Sequence, residues 1–168
     1  MLLRPALPTD LSGIIGLERT AAARRFVGQW GEERHQATMF GEDARYLVSE
    51  SSQGDLQAYV ILRGFAEDSK AIEVKRIVVA APGQGLGRRI MSEVIRIAFD
   101  EVGAHRLFLD VYEDNDRARH LYQSLGFVME GTMRDAACRD GAWCNLILMS
   151  MLEEEYRRSS IRRAQSGL

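Results

Sequence analysis

Between Ile77 and Arg89 the chain reads Ile77-Val78-Val79-Ala80-Ala81-Pro82-Gly83-Gln84-Gly85-Leu86-Gly87-Arg88-Arg89, a β-branched run passing through a glycine-dense turn straight into a helical pattern. That order limits what the segment can do. Glycines let the backbone approach a phosphate closely, and the first N–H groups of a helix have no acceptor inside it, so strand, turn and helix together make an anion site. Arg88 and Arg89 add positive charge there. A dinucleotide fingerprint needs Gly-x-Gly-x-x-Gly with an acid about twenty residues on, whereas the glycines here are Gly83, Gly85 and Gly87. A nucleoside-triphosphate loop ends in Gly-Lys-Ser/Thr, and Gly87 is followed by Arg88. Both alternatives fall, leaving a phosphate cradle or a plain flexible turn.

The pattern around this turn predicts alternating strands and helices. Thr9-Asp10-Leu11 signals an N-cap, and Ile14, Ile15, Leu17 and Ala21 follow at helical spacing. Arg24 to Gly41 is polar, with Phe26, Trp30, Met39 and Phe40 as apolar anchors, and is read as a second short helix with loops. Tyr46 to Ser49 and Leu56 to Arg63 read as a hairpin of strands around a polar turn, and Lys70 to Val79 as the next strand. Leu86 to Glu101 carries the one-sided stripe of a helix packed on a sheet. Leu107 to Val111 returns as a strand. Asn115 to Leu125 reads as a helix closed by Gly126, Phe127 and Val128 start another strand, and Trp143 to Met151 supplies the last. The fold class implied is α/β (α+β): a mixed, mostly antiparallel sheet of about six or seven strands flanked by helices. Residues 1–152 form one domain. The tail, 153–168, is a charged helix with Glu153–Arg157 and Glu154–Arg158 at i,i+4 spacing, disordered at its end.

Composition narrows the function classes. With 168 residues, 46% of them hydrophobic, the chain suffices for one core. The net charge of −2 is spread without a basic stripe, which argues against nucleic acid. The start lacks a leader pattern and no run reaches a membrane span, so a cytoplasmic protein without a membrane partner is expected. Cys138 and Cys144, with His35, His105 and His120, lack metal-ligand or redox spacing, and no metal is expected.

Downstream of the glycine turn, Asn115-Asp116-Arg117-Ala118-Arg119-His120-Leu121-Tyr122-Gln123-Ser124-Leu125-Gly126-Phe127 completes a second motif, Asn-x-x-Ala-x-x-Leu-Tyr-x-x-x-Gly-Phe. The pair of motifs resembles the acetyl-CoA-binding core of the GNAT superfamily of N-acetyltransferases, clearly over Glu73 to Val128 and by extension to Met151. Glu130-Gly131-Thr132-Met133-Arg134 is similar to the branch acting on ribosomal-protein N-termini and polyamines. One departure is Pro82, which stands where the family usually has Gln or Arg and which cannot donate a backbone hydrogen bond. A pyrophosphate contact is then missing or passes to Gln84, Arg88 or Arg89.

The resemblance implies acetyl-CoA as co-substrate, with the amides from Gly83 to Arg88 (Gln84, Gly85, Leu86, Gly87, Arg88) gripping the pyrophosphate. It implies that the backbone of Val78 and Val79 pairs with the pantetheine arm. From its helical phase alone Tyr122 is a core residue; the family match makes it the acid that protonates the coenzyme A thiolate. Asn115 reads as an N-cap that also contacts pantetheine. Glu73 is the first choice for the base, with Asp110 and Glu113 in reserve, while a Glu73–Lys75 surface ion pair is the plain alternative. Trp30, Glu32, Glu33 and His35 fall where the family builds its acceptor pocket, and are otherwise surface helix residues. The expected reaction is acetyl transfer to a primary amine: a protein N-terminus, a polyamine or a small amine. A non-catalytic acyl-CoA sensor of the same fold is the competing reading, and a homodimer is expected.

Overall fold

In the computed structural model, which describes residues 2–166, the chain forms seven strands and six α-helices, the unforeseen strand being the short one at Arg4–Pro5. In chain order these are β1 (Arg4–Pro5), α1 (Leu11–Glu18), α2 (Ala21–Arg24), α3 (Glu32–Met39), β2 (Ala44–Glu50), β3 (Leu56–Arg63) and β4 (Ala71–Val79). Then come α4 (Leu86–Arg96), β5 (Arg106–Tyr112), α5 (Asp116–Leu125), β6 (Val128–Arg139), β7 (Ala142–Leu152) and α6 (Glu153–Ser166). The sheet order is β1-β2-β3-β4-β5-β7-β6, antiparallel except for β4 beside β5. Among the described residues no helix is long and apolar enough to cross a membrane.

Both faces of the sheet are covered, which is why β3 reads Ala58 to Leu62 without a polar residue. On one face Val60, Leu62, Val74, Leu107, Leu109 and Met149 pack beneath Ile90, Met91, Val94 and Phe99. On the other, Tyr46, Val48, Tyr59, Ile61 and Val78 meet Ile14, Leu17 and Ala23.

A bulge decides which side chain of β4 goes where. Ile61 pairs with Arg76 but Leu62 pairs with Val74, so Lys75 is an extra residue. Beyond it the alternation is inverted: Ile72 and Val74 face α4, yet so do Ile77 and Val79. Arg76 and Val78 are thereby turned toward α1.

Several expected boundaries shift. The first helix stops at Glu18, and the polar segment after it holds two short helices, α2 and α3, rather than one. Asp10 does not cap α1; its carboxylate accepts two hydrogen bonds from Arg4, at 2.8 and 3.0 Å, and one from the Leu7 amide at 2.7 Å. The long amphipathic helix ends in a π-helical turn, Ile97–Glu101. Onto that turn α6 docks, with Tyr156 stacked on Phe99 at 4.9 Å and Tyr156 and Arg157 both bonded to Asp100 at 2.6 and 2.5 Å. The expected Glu153–Arg157 and Glu154–Arg158 pairs form, at 3.5 and 2.8 Å. The disorder expected at the tail's end concerns residues 167 and 168, which lie outside the described residues.

Candidate active site

The glycine turn presents bare backbone. Gly83 and Gly85 take φ of 92° and 78°, a region costly for any side chain, and no atom lies within 4 Å of where a Cβ would stand on either. Gly85 caps α4, whose first internal bond runs from the Arg89 N–H to the Gly85 carbonyl at 3.2 Å. The amides of Leu86, Gly87 and Arg88 consequently have no acceptor within the helix. Arg88 is anchored by a 2.7 Å bond to Ser124 Oγ of α5, close to this array.

Beside the turn the sheet comes apart. β4 and β5 are paired only at Ala71–Arg106, Ile72–Leu107 and Glu73–Phe108, although both strands run on, to Val79 and Tyr112. The gap exposes one edge of β4. Ala80 donates to the Gln57 carbonyl at 2.8 Å, and the strict alternation of an antiparallel ladder then commits Val78 and Arg76 to β3 and turns the backbone of Ile77 and Val79 into the gap. Of the two residues expected to offer free backbone, Val79 does so, while Val78 faces Tyr59 and Ile77 takes its place. A cleft of about 460 Å³ follows the gap from Pro82, Gly83 and Arg88 to Phe26 and Trp30.

The second motif supplies the far wall. Asn115 caps α5 by accepting the Ala118 amide at 3.3 Å. At the other end Gly126, with φ 105°, allows the Phe127 amide to reach the Tyr122 carbonyl and the Gly126 amide to reach Gln123, both at 3.0 Å. These two caps set the phase of α5, so that Tyr122 packs its ring in the core and lines the cleft. Among the described residues its hydroxyl has no hydrogen-bond partner. Burial, with a contribution from Asp110, pushes the phenol up to about 12, so it carries its proton throughout the neutral range.

Asp110 also lines the cleft, on the β5 side of the gap. Its carboxyl titrates above the ordinary range because the cleft walls desolvate it and Glu73 adds negative charge, against an opposing pull from Lys75. Glu73 itself accepts from Lys75 Nζ at 3.1 Å and is not on the cleft wall. Glu113 is occupied by Asn145 Nδ2 at 3.0 Å.

Under the acceptor end lies a buried polar cluster. Glu18 Oε1 accepts from Arg76 at 2.6 Å and from the Tyr59 hydroxyl at 2.5 Å, and Oε2 accepts the Trp30 amide at 3.1 Å. His35 Nε2 stands 3.3 Å from Oε1 without hydrogen-bond alignment, while its Nδ1 meets the Tyr46 hydroxyl at 3.0 Å. Burial pushes the Glu18 carboxyl up, but His35, Tyr59, Arg76 and the Trp30 amide outweigh it and hold the group below the usual range. The ion pair and the Arg76 bond to the Gly28 carbonyl tie α1, β4 and the α2–α3 loop into one unit. Across the mouth, Arg139 bonds Asp114 at 2.8 Å and the Arg25 carbonyl at 3.1 Å while lying 4.9 Å from the Tyr112 ring.

A splayed parallel pair, a glycine turn with free amides and a capped tyrosine helix occur here together, and residues 18–127 match the family model described as acetyltransferase (GNAT) family. The chain belongs to the GNAT acetyltransferase family. Its activity is transfer of an acetyl group from acetyl-CoA to an amine. Similar proteins include the L-amino acid N-acyltransferase MnaT of Escherichia coli, 29% identical over 129 residues that cover 75% of this chain and 72% of that one. The E. coli spermidine N(1)-acetyltransferase is 24% identical over 92% of this chain and 87% of its own. Among solved structures, a point mutant of the Vibrio cholerae spermidine N-acetyltransferase SpeG superposes with a TM-score of 0.82 at 25% identity, covering 95% of this chain and 99% of that one. A V. cholerae spermidine N-acetyltransferase in complex with CoA and spermine gives 0.80 at 24% identity, over 92% and 96%.

The cleft of this GNAT protein collects most, not all, of the residues singled out from sequence. Val78, Val79, Gly85, Gly87, Arg88, Asn115 and Tyr122 line the cleft; Gln84 and Leu86 do not, although the Leu86 amide is free. Arg89 points to a separate depression with Arg4 and Glu50, so of the side chains able to stand in for Pro82 only Arg88 is on the wall. Trp30 lines the cleft, whereas Glu32 and Glu33 are exposed outside it and His35 is fully buried. Pattern reading missed Glu18, Arg34 and Arg76. Glu18 offered one signal, a carboxylate one residue after the apolar Leu17 on a helix whose stripe faces the sheet.

Proposed function

We propose that Tyr122 is the acid and Asp110 the base of this acetyltransferase, acting on a small primary amine that enters between the α2–α3 segment and β5. The observation carrying this reading is that a hydroxyl without a partner and a carboxylate open onto the same gap between β4 and β5. The free backbone of Ile77 and Val79 and the amides of Leu86, Gly87 and Arg88 suit a pantetheine arm and a pyrophosphate respectively. Bound acetyl-CoA supplies the activated thioester. Asp110 takes the proton of the incoming ammonium; the amine nitrogen then bonds to the thioester carbon, the C–S bond breaks with its electron pair on sulfur, and Tyr122 gives that sulfur its proton. The second proton shed by nitrogen restores Tyr122 and Asp110 releases the first to solvent, so thioester and ammonium become amide, thiol and a proton. The similar proteins are named for spermidine and for amino acids, both primary amines, which supports an amine here. A homodimer is supported by edge strand β6, whose Val128 and Met129 are 52% and 45% exposed.

Glu73, the base expected from sequence, enters as a neighbour that raises Asp110 rather than as the proton acceptor. The pH profile of kcat/KM for Asp110→Asn and Glu73→Gln separates the two. Asp110→Asn is expected to lower kcat/KM by about 10²-fold, at the low end for acid–base groups, and to remove the acidic limb. Full activity in Asp110→Asn with loss in Glu73→Gln would return the role to Glu73.

A further inference from the structure

The charged side chains of the cleft wall are Arg34, Lys75, Arg76, Arg88, Arg117 and Asp110. Arg88 follows the glycine turn at the start of α4 and Arg117 stands in the first turn of α5, whereas Arg34, Lys75 and Arg76 belong to α3 and β4, so the wall away from these helix starts holds Arg34, Lys75 and Arg76 against Asp110. Lys75 is taken by Glu73 at 3.1 Å, and one end of Arg76 by Glu18 at 2.6 Å. Two cationic donors are left over. The Arg34 guanidinium has no carboxylate or other hydrogen-bond acceptor among the described residues, and neither has the second terminal nitrogen of Arg76. Arg76 Nε is buried and likewise without a partner. Trp30 carries both guanidinium groups, Arg34 at 4.1 Å and Arg76 at 4.0 Å from its ring. Stacking on an aromatic face fixes the plane of a guanidinium while its N–H edge stays available, the arrangement that receives a carboxylate through two parallel bonds.

A polyamine brings further ammonium groups, each of which would lie against this wall with, among the described residues that line it, no carboxylate besides Asp110 to receive it. A zwitterion matches the charges instead. We infer that the acceptor is a primary amine bearing a carboxylate a few bonds away, of the amino-acid class, with the carboxylate held at Arg34 and the free edge of Arg76 and the amine directed to Asp110. The inference rests on the acid–base assignment above and extends it to specificity.

The test is thiol release by the full chain with acetyl-CoA and matched acceptors: L-methionine, L-phenylalanine and L-glutamine, the carboxamide of each, the amine left when the carboxyl is removed, and spermidine. At least one amino acid is expected to exceed its carboxamide in kcat/KM by about tenfold, the range of a two-bond ion pair at a cleft mouth. Arg34 is exposed, and Arg34→Ala should cut that acid-to-amide ratio roughly tenfold through KM, with Arg34→Lys restoring part of it. Spermidine or the amides preferred to every acid, or an acid-to-amide ratio unmoved by Arg34→Ala, overturns the inference alone. No turnover of any amine, by protein that binds acetyl-CoA in calorimetry, overturns the transfer reading and this inference with it.

Discussion

Replacing Tyr122 by Phe separates a catalytic hydroxyl from a core ring, because the two roles give opposite results in two measurements on one protein. The ring is largely buried, packed in the core 5.9 Å from Phe127, and the substitution keeps it. The hydroxyl gives up no protein hydrogen bond, so removing it should change stability by no more than about 0.5 kcal/mol, which is under about 2 °C in Tm for a chain of this size. Catalysis should behave otherwise. Without a donor the thiolate leaves unprotonated, and the loss of one acid typically costs about 10²-fold, or about 2.7 kcal/mol of activation free energy. Thermal denaturation reads the first quantity and thiol release the second, with acetyl-CoA affinity by calorimetry as control. We expect Tm and affinity nearly unchanged and kcat down about 100-fold. Wild-type kcat together with a lowered Tm would refute the reasoning and make Tyr122 a packing residue.

Two further outcomes follow from the ion pairs. Glu18→Ala strands the Arg76 guanidinium in the core and should cost about 3–5 kcal/mol in denaturant unfolding, whereas a loss under about 1 kcal/mol would show that water reaches Arg76. Glu18 and Glu130 both titrate below their ordinary value near 4.5, Glu130 at about 2 because Arg106 and Ser150 bond it. A depressed carboxyl stabilises the fold above its unfolded pKa and loses that contribution as pH falls toward the folded one, so Tm should hold above pH 4.5 and fall between there and about 2. Glu130→Gln should flatten that fall, and an unchanged slope would remove Glu130 from the account.

Local rules made the cofactor half legible before any coordinates. The order of strand, Gly83-x-Gly85-x-Gly87 and helix dictates free amides at the start of α4, since positive φ and unpaired helical N–H groups are properties of the segment itself. Asn115 as N-cap and Gly126 as C-cap are likewise written within a dozen residues, and they fix which way Tyr122 faces. The acceptor half was not legible. The bulge at Lys75 turns Arg76 away from α4 toward Glu18, 58 positions earlier, and that partner is set only when β4 pairs with β3. Asp110 against Glu73 as base was open for the same reason: which carboxylate meets the gap depends on where β4 and β5 stop pairing, after Glu73–Phe108. What the sequence alone determined about this protein is therefore the set of backbone conformations that leave amides free at the glycine turn and set the phase of α5, because those depend on neighbours a few residues away. Tertiary structure alone decided which charges share the cleft, because Arg34, Arg76 and Asp110 come from α3, β4 and β5 and meet only once the sheet has formed and splayed.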